Sequence, residues 1–176
     1  MSSELYHRAL GYAACAHRKQ VRKYTGERYV NHPVRVADSL KLAGLPEFVQ
    51  AAALLHDTIE DCGVTFLEIA DEFNLNIATL VLQVTDCFTK EAYPWKNRAA
   101  RKEMELVRLS HIHHYAQSIK VADLIDNTSD IAKHDKGFAK VYLREKRDLL
   151  NVLTEANPQL VRHADAQIKE LSHGLW

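Results

Sequence analysis

The sequence predicts an all-α domain, and three observations predict it. Apolar residues recur at three-to-four spacing along almost the whole chain, long alternating β-branched runs are few, and Pro- or Asn-marked breaks separate the periodic stretches. A chain of 176 residues, 47% of them hydrophobic, can bury one sizeable core. The expectation is a single domain over residues 1–176, built as a bundle of roughly eight to ten helices.

The elements follow in order. Leu5, Ala9, Tyr12, Ala13 and Ala16 form the first apolar stripe. Pro33 suits a first helical turn, so His32 falls at the entrance of the second helix, with Val34, Ala37, Leu40 and Leu42 available for packing. The pattern predicts a third helix over 46–59 that ends in an acidic cluster. Thr65 and Glu68 form a capping box for a helix over 66–73, with Val64 as its staple. Further helices are predicted over 77–88, 96–113, 115–132 and 138–155, and a last one after Asn157-Pro158 to about 171. The segment 89–97, with Tyr93-Pro94-Trp95, reads as an aromatic, proline-marked loop, and as a turn packed on the bundle surface more than a platform for a base.

Four residues carry the chemistry: His32, the adjacent pair His56-Asp57, and Asp123. Two imidazoles and two carboxylates suit a borderline divalent ion, with positions left open for water or substrate. In ALLHDTIED, His56 and Glu60 stand four residues apart, as do Asp57 and Asp61, one turn along a helix. Like charges at Asp57, Glu60 and Asp61 destabilise an ordinary helix by a few tenths of a kcal/mol per close pair, and a cation relieves that repulsion. By contrast, His111-Ile112-His113-His114 has one same-face pair, no carboxylate in the preceding turn, and reads as a polar surface cluster.

The segments NHPVRVA, AALLHDTIED, VTD and IKVADLIDN, in this order and spacing, resemble the HD-domain alarmone hydrolases. These are the hydrolase half of RelA/SpoT proteins and the stand-alone metazoan SpoT homologues. The resemblance spans about residues 5–150 and implies an HD-type helical bundle. It implies one divalent ion, Mn²⁺, held by His32, His56, Asp57 and Asp123, and removal of the 3′-diphosphate of ppGpp or pppGpp to give GDP or GTP and pyrophosphate. Glu60 and Asp61 become the acidic pair acting on the water. Arg22 and Lys23 match the family's basic segment, and Asn127 an asparagine beside the site. Lys90 and Tyr142 are further candidates for substrate contact.

Departures from the family pattern lie on the substrate side. Leu124 stands where relatives carry a basic residue, Asp126 where His or Tyr is common, Thr128-Ser129 where an apolar-Arg pair is usual, and Phe88 where metazoan relatives carry lysine. Two alternatives therefore stand beside alarmone hydrolysis. One is a phosphatase acting on another nucleotide such as NADPH, and the other a non-catalytic domain that binds a nucleotide.

Lys plus Arg and Asp plus Glu number 23 each, so there is no general field for nucleic acid or an anionic membrane. The partner expected is a small nucleotide bound locally. The three cysteines, Cys15, Cys62 and Cys87, form no CxxC pair. No stretch approaches the roughly 20 apolar residues of a membrane span. Together these predict a cytoplasmic protein.

Overall fold

The computed structural model describes residues 4–173. Among them run ten helices: α1 (Glu4–Ala16), α2 (Asn31–Leu42), α3 (Glu47–Leu55), α4 (Thr58–Cys62), α5 (Phe66–Glu72), α6 (Leu75–Val84), α7 (Arg98–Leu109), α8 (His114–His134), α9 (Lys136–Val152) and α10 (Pro158–His173). The extended structure among the described residues is an isolated antiparallel bridge, Val21 to Arg28. The all-α expectation holds.

Two helices organise the core. In α3, Ala51, Ala52, Ala53, Leu54 and Leu55 are all fully buried, and the short alanines let α1, α2 and α6 close around it. A leucine buried in this way contributes about 1.5–3 kcal/mol. Helix α8 carries a buried strip, Ile119, Val121, Ala122 and Leu124, and packs against α2, α3, α6, α9 and α10. Asp123 and Asp126, off this strip, meet His32 on α2, and Asp123 also meets His56 at the end of α3, which is where the site forms.

The helix expected over 46–59 is two helices. Side chains take the carbonyls that a continuing helix would use: His56 Nδ1 donates to Ala53 O at 2.7 Å and Thr58 Oγ1 donates to Leu55 O at 2.7 Å. The chain therefore turns at His56-Asp57, and α4 restarts with Asp61 N donating to Asp57 O at 2.9 Å. Gly63, at φ 70°, closes α4 in the left-handed region that favours glycine. The predicted capping box is present: Glu68 N donates to Thr65 Oγ1 at 3.2 Å and Thr65 N to Glu68 Oε2 at 2.7 Å.

Helix α6 stops at Val84, short of the expected 88, because Thr85 leaves the helix with its hydroxyl on Val81 O at 2.8 Å. Helix α7 starts late, at Arg98, where Asn97 caps it by accepting from Ala100 N at 2.9 Å. Between them Phe88, Tyr93 and Trp95 pack on one another, with ring centroids 5.1 and 5.6 Å apart. The loop's aromatics thus contact one another, and Trp95 stays 74% exposed rather than packed on the bundle. No helix among the described residues is long and apolar enough to cross a membrane.

Candidate metal centre

His32 enters the site from the first turn of α2, His56 and Asp57 from the turn between α3 and α4, and Asp123 from the middle of α8. His32, His56 and Asp57 each offer one donor atom within 4.8 Å of the others. Asp123 Oδ1 lies 3.1 Å from His32 Nε2 and 3.8 Å from His56 Nε2, while Asp57 Oδ2 lies 3.6 and 3.1 Å from the same two nitrogens. Four residues from three parts of the fold therefore converge on one point.

The far side of each imidazole fixes its inner nitrogen. His56 Nδ1 donates to the Ala53 carbonyl, an acceptor only, so Nε2 presents its lone pair to the cluster in the neutral ring. That Nε2 is buried and makes no hydrogen bond of normal geometry. His32 Nδ1 donates to Asp126 Oδ2 at 2.7 Å, which leaves Nε2 facing inward too. A buried, unsatisfied nitrogen between two carboxylates fits a cation, which would accept the lone pair and neutralise the acids.

The electrostatics agree. Burial opposes charging His56, yet the charges of Asp57 and Asp123 outweigh it and hold its pKa well above the ordinary value. His32 is likewise raised against burial, by Asp123 and Asp126. Asp123 is held well below the usual carboxylate range against burial by the two imidazoles, and Asp57 is lowered chiefly by His56. Without a cation, this is a proton-sharing cluster that binding must deprotonate.

Around it, Tyr29 donates its hydroxyl to Asp57 Oδ2 at 2.7 Å and packs edge-on to His32 at 5.8 Å. Asn127, one turn after Asp123, donates to Asp123 Oδ1 at 2.5 Å. Glu60 lies on α4 with Oε2 accepting from Asp86 N at 3.3 Å. Burial and then the charge of Asp86 push Glu60 up to about 7. Asp61 is also raised, by burial and by Asp57. Two acids with elevated proton affinity thus sit beside the cluster, and Glu60 is suited to proton transfer near neutral pH.

The expected substrate residues fare differently. The Arg22 guanidinium is 11% exposed and tied to α8, donating to Asn127 Oδ1 at 2.8 Å and Asp130 Oδ2 at 2.7 Å. It holds the site together from behind the asparagine. Lys23 is exposed, with its ammonium 5.0 Å from the Tyr24 ring centroid, and Lys90 is exposed in the loop after α6. Neither contacts the cluster among the described residues. Tyr142 is buried with an unpartnered hydroxyl, and burial and the charge of Asp123 raise its pKa.

Most departures from the family pattern have internal roles. Leu124 is fully buried in the core. Asp126 orients His32 and is gripped by Arg35, with Nε donating to Oδ1 at 2.6 Å and an outer nitrogen to Oδ2 at 3.2 Å. Ser129 accepts from Gln167 Nε2 at 2.8 Å, joining α8 to α10. Cys62 lies 3.2 Å from His17 Nδ1, but burial and then Asp61 raise its pKa, so it stays a thiol. His113 and His111 serve helix ends, His113 Nδ1 accepting from Tyr115 N at 3.2 Å and His111 Nδ1 donating to Val107 O at 2.8 Å.

Sequence reasoning missed Tyr29, Asp126 as a partner of His32, and the lysines Lys120 and Lys146. Tyr29 had a local signal, since it precedes His32 by one turn and its carbonyl accepts from His32 N at 2.9 Å. The Asp126 pairing spans 94 positions and had none.

A helical bundle that draws two histidines and two aspartates together at a helix break defines the HD class, and the HD domain family matches residues 9–157. The chain belongs to that family. Among curated relatives it is 36% identical over 125 residues to the guanosine-3′,5′-bis(diphosphate) 3′-pyrophosphohydrolase MESH1 of Danio rerio, covering 69% of this chain and 66% of that protein. It is 36% identical over 126 residues to the Homo sapiens protein of the same name, covering 70% and 67%. A solved structure of a metazoan SpoT orthologue, which hydrolyses ppGpp, superposes with a TM-score of 0.86 at 27% identity, covering 100% of this chain and 99% of that one. The matched stretch is thus about two thirds of the length of the curated metazoan relatives.

Proposed function

We propose that this protein is a metal-dependent 3′-pyrophosphohydrolase of guanosine 3′,5′-bis(diphosphate). The observation that carries the reading is the inward-facing pair of imidazole nitrogens, His32 and His56, between Asp57 and Asp123, with a carboxyl of pKa about 7, Glu60, at its edge. The names of the curated relatives support the substrate.

His32, His56, Asp57 and Asp123 are the ligand set, and Mn²⁺ is the proposed ion. A bound divalent ion supplies positive charge that screens the phosphoryl oxygens and acidifies water. Glu60 takes a proton from the attacking water, and Asp61 orients it. Water adds to the phosphorus nearest the ribose and the bond from that phosphorus to O3′ breaks. Pyrophosphate leaves, and O3′ gains a proton. Asn127 steadies Asp123, and Arg22 steadies Asn127. Lys23 and Lys90 remain candidates for contacts at the rim, and Tyr142, with its free hydroxyl, for one inside.

The test is Mn²⁺-dependent turnover of ppGpp beside NADPH and a nucleoside 3′-phosphate, with products resolved by anion exchange. GDP and pyrophosphate from ppGpp, lost in Asp123→Ala, support the reading. Turnover of NADPH alone, with release of orthophosphate, overturns it in favour of a nucleotide phosphatase, and no turnover at all favours a binding domain.

A further inference from the structure

Beside the metal cluster, α7, α8 and α9 enclose a cavity of about 360 Å³, whose wall includes Asp86, Lys102, Lys120, Lys146 and Leu149. That volume falls in the range of small-molecule sites. The three lysines come from three helices, so no single basic run of the sequence contains them, although Lys102 closes the basic stretch 96–102.

Their pairing is uneven. Lys120 Nζ lies 3.0 Å from Asp86 Oδ1, and Lys102 Nζ lies 3.6 Å from Asp86 Oδ2, so one carboxylate serves two ammonium groups. Lys146 forms no ion pair among the described residues, and its ammonium sits 5.0 Å from the Tyr142 ring centroid. Of the other wall carboxylates, Glu105 pairs with Arg108 and Glu145 with Arg98 at 2.7 Å, while Glu103 and Asp148 form no ion pair with the three lysines among the described residues. Burial, with Lys120 and Lys102 adding to it against Asp123 and Asp86, lowers the Lys146 pKa. A partly buried ammonium facing two more is unfavourable unless an anion joins them.

The cavity also adjoins the reacting centre. Lys120 stands one turn before Asp123 on α8, the charge of Asp123 acts on both Lys120 and Lys146, and Asp86 donates its backbone N–H to Glu60. An anion held there lies next to one held at the cluster.

We propose that Lys102, Lys120 and Lys146 form a second phosphate subsite, which holds the non-reacting phosphate of the diphosphate whose first phosphorus is attacked. The proposal rests on the pyrophosphohydrolase reading for the identity of that diphosphate. It makes Lys146 a specificity determinant: the subsite favours substrates with two linked phosphates over phosphomonoesters, and it retains pyrophosphate after cleavage.

The experiment is calorimetric titration of the Mn²⁺-loaded protein with pyrophosphate and with orthophosphate, for the wild type, Lys146→Met and Lys146→Arg. The wild type should bind pyrophosphate at least tenfold more tightly than orthophosphate. Lys146→Met should erase most of that ratio without changing orthophosphate affinity, and Lys146→Arg should restore it. An unchanged ratio in Lys146→Met overturns the subsite. Thermal unfolding supplies the folding control: removal of an unpaired ammonium should leave the melting temperature unchanged or raised. Asp123→Ala, which strips a proposed metal ligand, should keep Lys146-dependent pyrophosphate binding, and loss of that dependence would also count against the subsite. Because the readout is binding, Lys146-dependent pyrophosphate capture without ppGpp turnover would defeat the proposed function and leave the subsite standing.

Discussion

Replacing Asp126 with alanine tests how the metal centre is oriented. In the structure this carboxylate accepts from His32 Nδ1 at 2.7 Å and does not face the cluster. Its loss frees His32 to rotate or to take the other tautomer, which puts a proton on the nitrogen that should bind. Partners of this kind are worth about 10–100-fold in metal affinity, or roughly 1.4–2.7 kcal/mol. The upper half of that range is expected here, because the His32 side chain is 1% exposed and water cannot easily replace the carboxylate. Arg35 keeps its ion pair with Glu27 at 2.8 Å, and Arg22 keeps Asp130, so the fold should survive. Asp126→Asn retains an acceptor without the charge and should lose only about tenfold. The assay is competition for Mn²⁺ against a calibrated chelator, with circular dichroism as the control. An Asp126→Ala protein that binds Mn²⁺ as tightly as the wild type would refute the orientation argument.

Glu60→Gln should keep metal affinity while kcat falls by about 10²–10⁴-fold and the acidic limb of the pH profile disappears; in the wild type that limb should rise with pH, because the base works ionised. Full activity in Glu60→Gln would assign the proton transfer elsewhere. Metal affinity should climb with pH by about tenfold per unit for each proton displaced, since Asp57 and Asp123 keep the imidazoles protonated above their ordinary range; a flat profile in calorimetry would contradict this. The same raised values stabilise the metal-free fold below the unfolded imidazole pKa, and that stability should fade as pH rises through the folded pKa. Leu54→Ala in the fully buried face of α3 should cost about 2–5 kcal/mol in urea unfolding.

The four proposed ligands were legible because the motifs that hold them are short and their order along the chain is distinctive. Periodicity located the helices, since α1, α2 and α6 bury a face against α3, and α9 and α10 against α8. The break at His56-Asp57 was not legible. AALLHDTIED contains no glycine or proline to mark a break, and the turn arises from the His56 ring and the Thr58 hydroxyl taking backbone carbonyls. Arg22 read as a nucleotide contact because its segment is basic, but Asp130 and Asn127 lie 108 and 105 positions away, and only folding shows that they claim it. For the same reason nothing in the sequence sets Lys146 apart from its charged neighbours Arg144, Glu145 and Arg147.

The two imidazoles are held by different kinds of matter. His56 leans on a main-chain oxygen, which every amino acid at position 53 would supply, so no side-chain substitution there deletes it. His32 leans on the side chain of Asp126, which a single codon can exchange. One half of the centre is therefore hard-wired into the path of the chain, while the other has an adjustable screw. Selection or an engineer seeking a different metal preference has position 126 to turn, and can turn it without touching a ligand.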